Sequence, residues 1–197
     1  DITRIESGLL KLNKERFNLK QVIFNTVDDY RNQVRNPNGN VSIVYRIDKE
    51  ETTQGGGSGQ QRQEQLLHKQ ILIQDNTYPV LIEADKVRIM QVIDNLVSNA
   101  LKFTKEGTIS LSVQSNDKRQ AVVSVKDSGQ GIDPSMLPKL FTKFATKSEF
   151  GGTGLGLFIS KNIIEAHEGK IWAENNTNEK GATFYFSLPL LGSSTRA

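Results

Sequence analysis

The spacing of apolar positions predicts alternating helices and strands along the 197 residues. Ile2, Ile5, Leu9, Leu10 and Leu12 recur at roughly helical spacing, weakened at Gly8. After a turn-like stretch at residues 13–16, a second periodic set (Phe17, Leu19, Val22, Ile23, Val27, Tyr30) predicts a new helix opening near Asn18 and reaching about Val34. Residues 35–40 form a turn cluster. Val41, Ile43, Tyr45 and Ile47 then alternate with Ser42, Val44 and Arg46, the period of a strand. A short strand is predicted at 78–82, and Asp85 fits a helix N-cap. That helix runs to about Phe103, with Val87, Met90, Ile93, Leu96, Val97 and Ala100 on a broad apolar face, and Gly107 closes it. Residues 108–114 and 120–126 alternate as an antiparallel pair joined at Asn116 and Asp117. A short helix is expected around 134–141, a Gly-rich turn at 151–156 feeding a helix from about Leu155 to His167, and closing strands at 169–174 and 182–188. Helices over one half-exposed sheet define an α+β fold, a two-layer α/β sandwich.

Residues 48–76 break this pattern. Gly55-Gly56-Gly57-Ser58-Gly59 and the Gln-rich run to Gln65 have the composition of a flexible insertion. Only Leu66, Leu67 and residues 71–73 are apolar there, the latter fitting an extra strand. Over the whole chain the 36% apolar content suffices for a core. The absence of cysteine excludes a disulfide scaffold, a cysteine nucleophile and a thiolate metal site. Two histidines are too few for a His-rich metal site, and a net charge of +3 does not by itself argue for nucleic acid or membrane. No apolar run approaches the ~20 residues of a membrane span, and the polar start is no signal peptide.

Four segments carry candidate chemistry. In residues 94–103, Asn95, Asn99 and Lys102 fall on one helix face. Amide oxygens are hard ligands suited to a magnesium ion that arrives with phosphates, and a lysine beside them neutralises phosphate. The same spacing also fits a solvated helix face. In Asp127-Ser128-Gly129-Gln130-Gly131-Ile132, a carboxylate after a strand can accept a hydrogen bond from an exocyclic amine, and the glycines let backbone approach a flat base. A plain tight turn has the same sequence character. Gly152, Gly154 and Gly156, two residues apart ahead of a helix, would aim backbone N–H groups at phosphate. They form neither a P-loop nor a Rossmann fingerprint. Leu140-Phe141-Thr142-Lys143-Phe144 reads as a loop pinned to the core by two phenylalanines.

In order and spacing, the four together resemble the N box, the two glycine boxes and the F box of the histidine-kinase catalytic domain. That domain belongs to the ATPase superfamily of gyrase, the Hsp90 chaperone and MutL. The resemblance spans about residues 17–190, and residues 1–19 are similar to the end of a dimerisation helix and its exit. It implies a Bergerat-type ATP-binding sandwich over 17–190 with a flexible insertion at about 48–76. Residues 1–16 would be a helical remnant of the dimerisation domain with its connector, and 191–197 a tail. It implies ATP and Mg2+ as cofactors. Asn99 would hold the metal, Asn95 support the metal site or orient the phosphate, Lys102 contact phosphate and Phe103 flank the sugar or base. Asp127 would accept the adenine amine, with Gly129 and Gly131 shaping the pocket. Gly152, Thr153, Gly154, Leu155 and Gly156 would form the phosphate-binding end of a lid, and Thr183 a closing-strand position near adenine. Lys143 or Lys147 is the candidate for reaching the γ-phosphate.

Two departures refine this. Gyrase-like ATPases carry a glutamate base one turn before the metal-binding asparagine; Asn95 stands here, which favours transfer to a protein acceptor over water activation. No H box is visible: His68 lies in the insertion, and His167 at a helix end fits a C-terminal cap. The acceptor histidine is therefore expected upstream, on helices of a homodimeric parent, with a response regulator downstream. A cytoplasmic location follows, a membrane anchor in the parent being left open. The alternatives are a serine-kinase anti-sigma-type relative and a degenerate nucleotide-binding module. Nucleic-acid binding is disfavoured by the lack of a basic-aromatic stripe.

Overall fold

Asn18 marks the change from strand to helix. Its Oδ1 accepts the Lys20 N–H at 3.1 Å and the Val80 N–H at 3.2 Å, so it caps the helix Leu19–Val34 (α1) and ties in the chain ahead of Leu81. Before it, Glu15–Asn18 (β1) pairs antiparallel with Leu81–Ala84 (β3), Phe17 opposite Ile82. Phe17, counted in the helical set although the helix is predicted to open near Asn18, is in a strand, and the strand expected at 78–82 begins three residues further on and ends two further on. The computed structural model describes residues 10–34, 41–46, 79–145 and 153–192. The insertion with its extra strand and His68, and the turn cluster at 35–40, lie outside the described residues. So does most of the expected helical remnant, and residues 10–14 carry no regular structure.

The other elements are Val41–Arg46 (β2), Lys86–Phe103 (α2), Gly107–Ser115 (β4), Gln120–Asp127 (β5), Gly156–Ala166 (α3), Lys170–Asn175 (β6) and Ala182–Pro189 (β7). The main sheet runs β2-β4-β5-β7-β6. The β2–β4 pair is parallel and the rest are antiparallel. Alternation sends Leu111, Val123, Val125, Phe186 and Leu188 inward, where they meet Leu19 and Ile23 of α1, Ile89, Ile93 and Leu96 of α2, and Ile163 and Ile164 of α3. The outer face is hydroxyl-rich: Ser42 and Thr108 lie 3.0 Å apart, Ser112 and Ser124 2.8 Å. An antiparallel sheet with one solvated face has this pattern. The fold is the expected two-layer α/β sandwich.

Three local expectations need correction. The apolar face of α2 is Ile89, Val92, Ile93, Leu96, Val97 and Ala100; Val87 is 75% exposed and Met90 40%. Val87 lies about 200° around the helix from Ile89, on the opposite side. Gly107 does not close α2. Thr104 is the C-cap, its N–H bonded to the Ala100 carbonyl at 3.0 Å, and Gly107 opens β4 at φ +117°. The short helix at 134–141 is a single 3-10 turn, Leu137–Lys139. Among the described residues no helix is long and apolar enough to cross a membrane.

Candidate functional site

The site begins with how α2 is fixed. Asp85 caps it, Oδ1 accepting the Arg88 N–H at 3.1 Å, while Oδ2 accepts the Asn13 N–H at 3.0 Å. Three turns on, Asn95, Asn99, Lys102 and Phe103 face a cavity of about 330 Å³ between the two layers. Asn95 Nδ2 donates to Ser160 Oγ at 3.0 Å, tying α2 to the buried Ser160 of α3. Its Oδ1 fills the place where a Cβ on Gly156 would stand, so Gly156 gives α3 its close approach. The Asn99 amide makes no hydrogen bond among the described residues and faces the cavity. Lys102 Nζ lies over the Phe103 ring, 5.4 Å from its centroid.

Asp127, at the end of β5, is 4% exposed. Its Oδ1 accepts the N–H groups of Gly129 at 2.8 Å and Ala182 at 3.3 Å. Its Oδ2 has no hydrogen-bond partner among the described residues, and Asp127 lines the cavity. Burial raises its pKa above the ordinary carboxylate value, opposed by those two backbone bonds. Gly131 lines the same wall at φ +79°, a backbone conformation suited to glycine. Gly129 does not line it. A Cβ there would meet the Phe103 carbonyl, so that glycine serves the contact between loop and helix.

At the far side, Thr153, Gly154, Gly156 and Leu157 border the cavity at the start of α3. Leu155 is the N-cap and supplies no side-chain acceptor. The first N–H groups of α3 therefore lack a capping side chain, the usual makings of an anion site. Gly154, at φ +64°, packs where a Cβ would sit 2.7 Å from Phe144 backbone. Gly152 and Lys147 lie outside the described residues. Lys143 Nζ lies over the Phe158 ring at 5.2 Å. Of the two phenylalanines expected to pin this loop, Phe141 packs on the core, whereas Phe144 is exposed.

Thr183 requires correction. It is buried on the opposite face of the sheet, its Oγ1 donating to Asn176 Oδ1 at 2.7 Å. Ala182 and Phe184 face the cavity instead, because a shift of one residue in a strand changes the face. Ile132 and Leu140, at the ends of two of the quoted segments, and Met136, which lies in none of them, form apolar walls. His167 is buried as the C-cap of α3. Its Nδ1 lies 2.7 Å from the Ile163 carbonyl, and its Nε2 accepts the Asp85 N–H at 2.9 Å.

Residues 84–192 match the family described as "Histidine kinase-, DNA gyrase B-, and HSP90-like ATPase". Phytochrome-like protein Cph1 of Synechocystis sp. is 42% identical over 113 residues, covering 55% of this chain and 15% of its own length. Sensor histidine kinase WalK of Bacillus subtilis is 42% identical over 115 residues, covering 55% and 19%. The chain thus spans less than a fifth of either relative. The nucleotide-free catalytic domain of histidine kinase ThkA is 31% identical with a TM-score of 0.66, covering 90% of this chain and 96% of that one. ThkA in complex with response regulator protein TrrA gives 28% identity and a TM-score of 0.66, covering 98% and 47%. The match takes in every described cavity-lining segment of α2, β5, α3 and β7, and the chain belongs to the family of histidine kinase-, DNA gyrase B- and HSP90-like ATPases, as a histidine kinase ATPase domain.

Proposed function

We propose that this domain binds ATP with Mg2+ in the cavity and passes the γ-phosphate to a histidine on a separate dimerisation domain, from which a response regulator receives it. The observation that carries the reading is one cavity holding both an open carboxylate oxygen on Asp127 and an unbonded amide on Asn99. Asp127 Oδ2 accepts the adenine amine. Phe103, Ile132 and Met136 flank the base, and Lys102 and the N-terminus of α3 take the phosphates. The donor set fits magnesium: Asn99 offers a neutral hard oxygen, and no cluster of three His, Cys, Asp or Glu exists among the described residues to serve a softer or phosphate-free ion. Bound there through Asn99, the ion would neutralise phosphate charge.

Asn95 supports transfer to protein over hydrolysis, since it is an amide held by Ser160 and cannot act as a general base. His167 is unsuited as acceptor, both ring nitrogens being engaged in the interior. His68 lacks the sequence context of an H box, so the acceptor is placed on helices outside residues 17–190, with 1–16 as their exit and connector and 191–197 as a tail. The ThkA–TrrA complex supports a response regulator as the downstream partner.

Calorimetric titration tests the reading. ATP with Mg2+ binds the wild type. Asp127→Asn weakens binding by about tenfold or more, about 1.4 kcal/mol, and Asn99→Ala removes the Mg2+-dependent part. An unchanged affinity in folded Asp127→Asn would remove the base-reading role. With acceptor helices supplied in trans, the product is an acid-labile phosphohistidine. Release of free phosphate alone would overturn the transfer.

A further inference from the structure

The base-reading loop leaves β5 at Asp127, and from Ser128 to Asp133 it has no strand partner among the described residues, so its backbone groups must be satisfied elsewhere. Two consecutive asparagines at the end of β6 do this. Asn175 Oδ1 accepts the Ile132 N–H at 2.7 Å, and its Nδ2 donates to the Ile132 carbonyl at 2.8 Å. One side-chain amide thus pairs with a backbone residue on both sides, as a neighbouring strand would. Asn176 Nδ2 donates to the Asp127 carbonyl at 2.9 Å and the Lys180 carbonyl at 3.1 Å. Its Oδ1 accepts from Thr183 Oγ1 at 2.7 Å, and its N–H donates to the Gly181 carbonyl at 3.0 Å. Gly181 presses so closely on the Asp127 carbonyl that a Cβ would not fit, and a Cβ on Gly131 would come within 2.9 Å of Asn175 Oδ1.

Neither asparagine lines the cavity. They hold the two ends of the segment that does: Asp127, which carries the carboxylate, and Ile132, which walls the base. We infer that Asn175 and Asn176, the latter anchored by Thr183, are positioning residues that set the adenine selectivity of the site. The inference rests on the nucleotide reading above and extends it to residues that touch no ligand. It also gives Thr183 a role: it acts on the pocket through Asn176 from the far face of the sheet.

Chemistry dictates the variants. Asn175→Asp keeps the shape but replaces the donor to the Ile132 carbonyl with a carboxylate oxygen, setting acceptor against acceptor. Thr183→Val keeps the shape and removes the hydroxyl that orients Asn176. Calorimetry on the full chain compares ATP, GTP and inorganic tripolyphosphate, each with Mg2+, and melting curves verify folding. Asn175→Asp should weaken ATP by about tenfold or more. GTP should change less, so the ATP-to-GTP ratio falls, and tripolyphosphate, having no base, should be unaffected. Thr183→Val should shift the ratio in the same direction by a smaller factor. If Asn175→Asp does not fold, Thr183→Val decides. Unchanged ATP affinity and base preference in the folded variants, or equal weakening of all three probes, overturns the inference while the nucleotide reading stands. A folded wild type that binds no ATP overturns that reading and this inference with it.

Discussion

Asp127 leaves the sheet with its carboxyl buried among Ala182, Gly129 and the cavity, and burial holds its pKa above the ordinary carboxylate value. A raised folded pKa means a contribution to stability that is present below the unfolded value, about 3.9, and lost as pH rises through the folded one. At neutral pH the ionised Asp127 therefore weighs against the nucleotide-free fold. Asp127→Asn should raise the melting temperature of the free domain at pH 7, by about 2–4 °C for each kcal/mol released in a domain of this size. The gain should shrink as the medium is acidified towards pH 4. Equal melting of the two proteins across that range would contradict the burial cost. The residues legible in the sequence were those whose chemistry is local. Asn95, Asn99 and Lys102 share a helix face by spacing alone, and Asp127 sits at a strand end before glycines. Thr183 was placed on the wrong face because a one-residue register cannot be judged without the neighbouring strand. Asn175 and Asn176 fall in the unassigned stretch between the two closing strands, and nothing local marks them, since their partners lie 43 and 49 positions earlier.

At the scale of elements, His167 joins the end of α3 to the start of α2. Nε2 accepts from the Asp85 N–H, which requires a neutral ring with its proton on Nδ1, directed at the Ile163 carbonyl. Burial lowers the His167 pKa; Lys14 adds to this, while the Ile163 bond and Asp85 oppose it. A lowered folded pKa gives stability that is present above the unfolded value and lost as pH falls below about 6.5. The same junction holds the chain ahead of β1 through Asn13 and Asp85, with Lys14 Nζ 3.8 Å from Glu168. His167 should therefore subtract stability between pH 7 and pH 5, opposite in sign to Asp127, and His167→Gln should remove that contribution from the slope. Melting curves at several pH values check this, and identical slopes would exclude His167 as their source. Asp85 as a cap, the 108–126 hairpin and α3 were legible from sequence because caps, turns and periodicity are local signals. The four-residue β1 was not: its partner β3 lies 63 to 69 positions away, and Phe17 also fits the helical period.

The molecule places its cavity between layers. α2 and α3 supply one side and β5 and β7 the other, so a bound nucleotide contacts both. A ligand that binds only the folded state stabilises it by RT ln(1 + [L]/Kd), about 2.7 kcal/mol at a hundredfold excess over Kd. For a domain of this size that corresponds to roughly 5–11 °C in melting temperature. ATP with Mg2+ should therefore raise the melting temperature by this order at such an excess. Asn99→Ala should reduce the Mg2+-dependent share, and Asp127→Asn, though more stable when free, should gain much less from the same ATP concentration. The crossing is the informative outcome. A variant that melts higher without nucleotide and responds less to it cannot be explained by general destabilisation, and ties the cost of burying the carboxylate to its use in binding. Saturating ATP that leaves the wild-type melting temperature unmoved would mean that the cavity between the layers does not take the nucleotide.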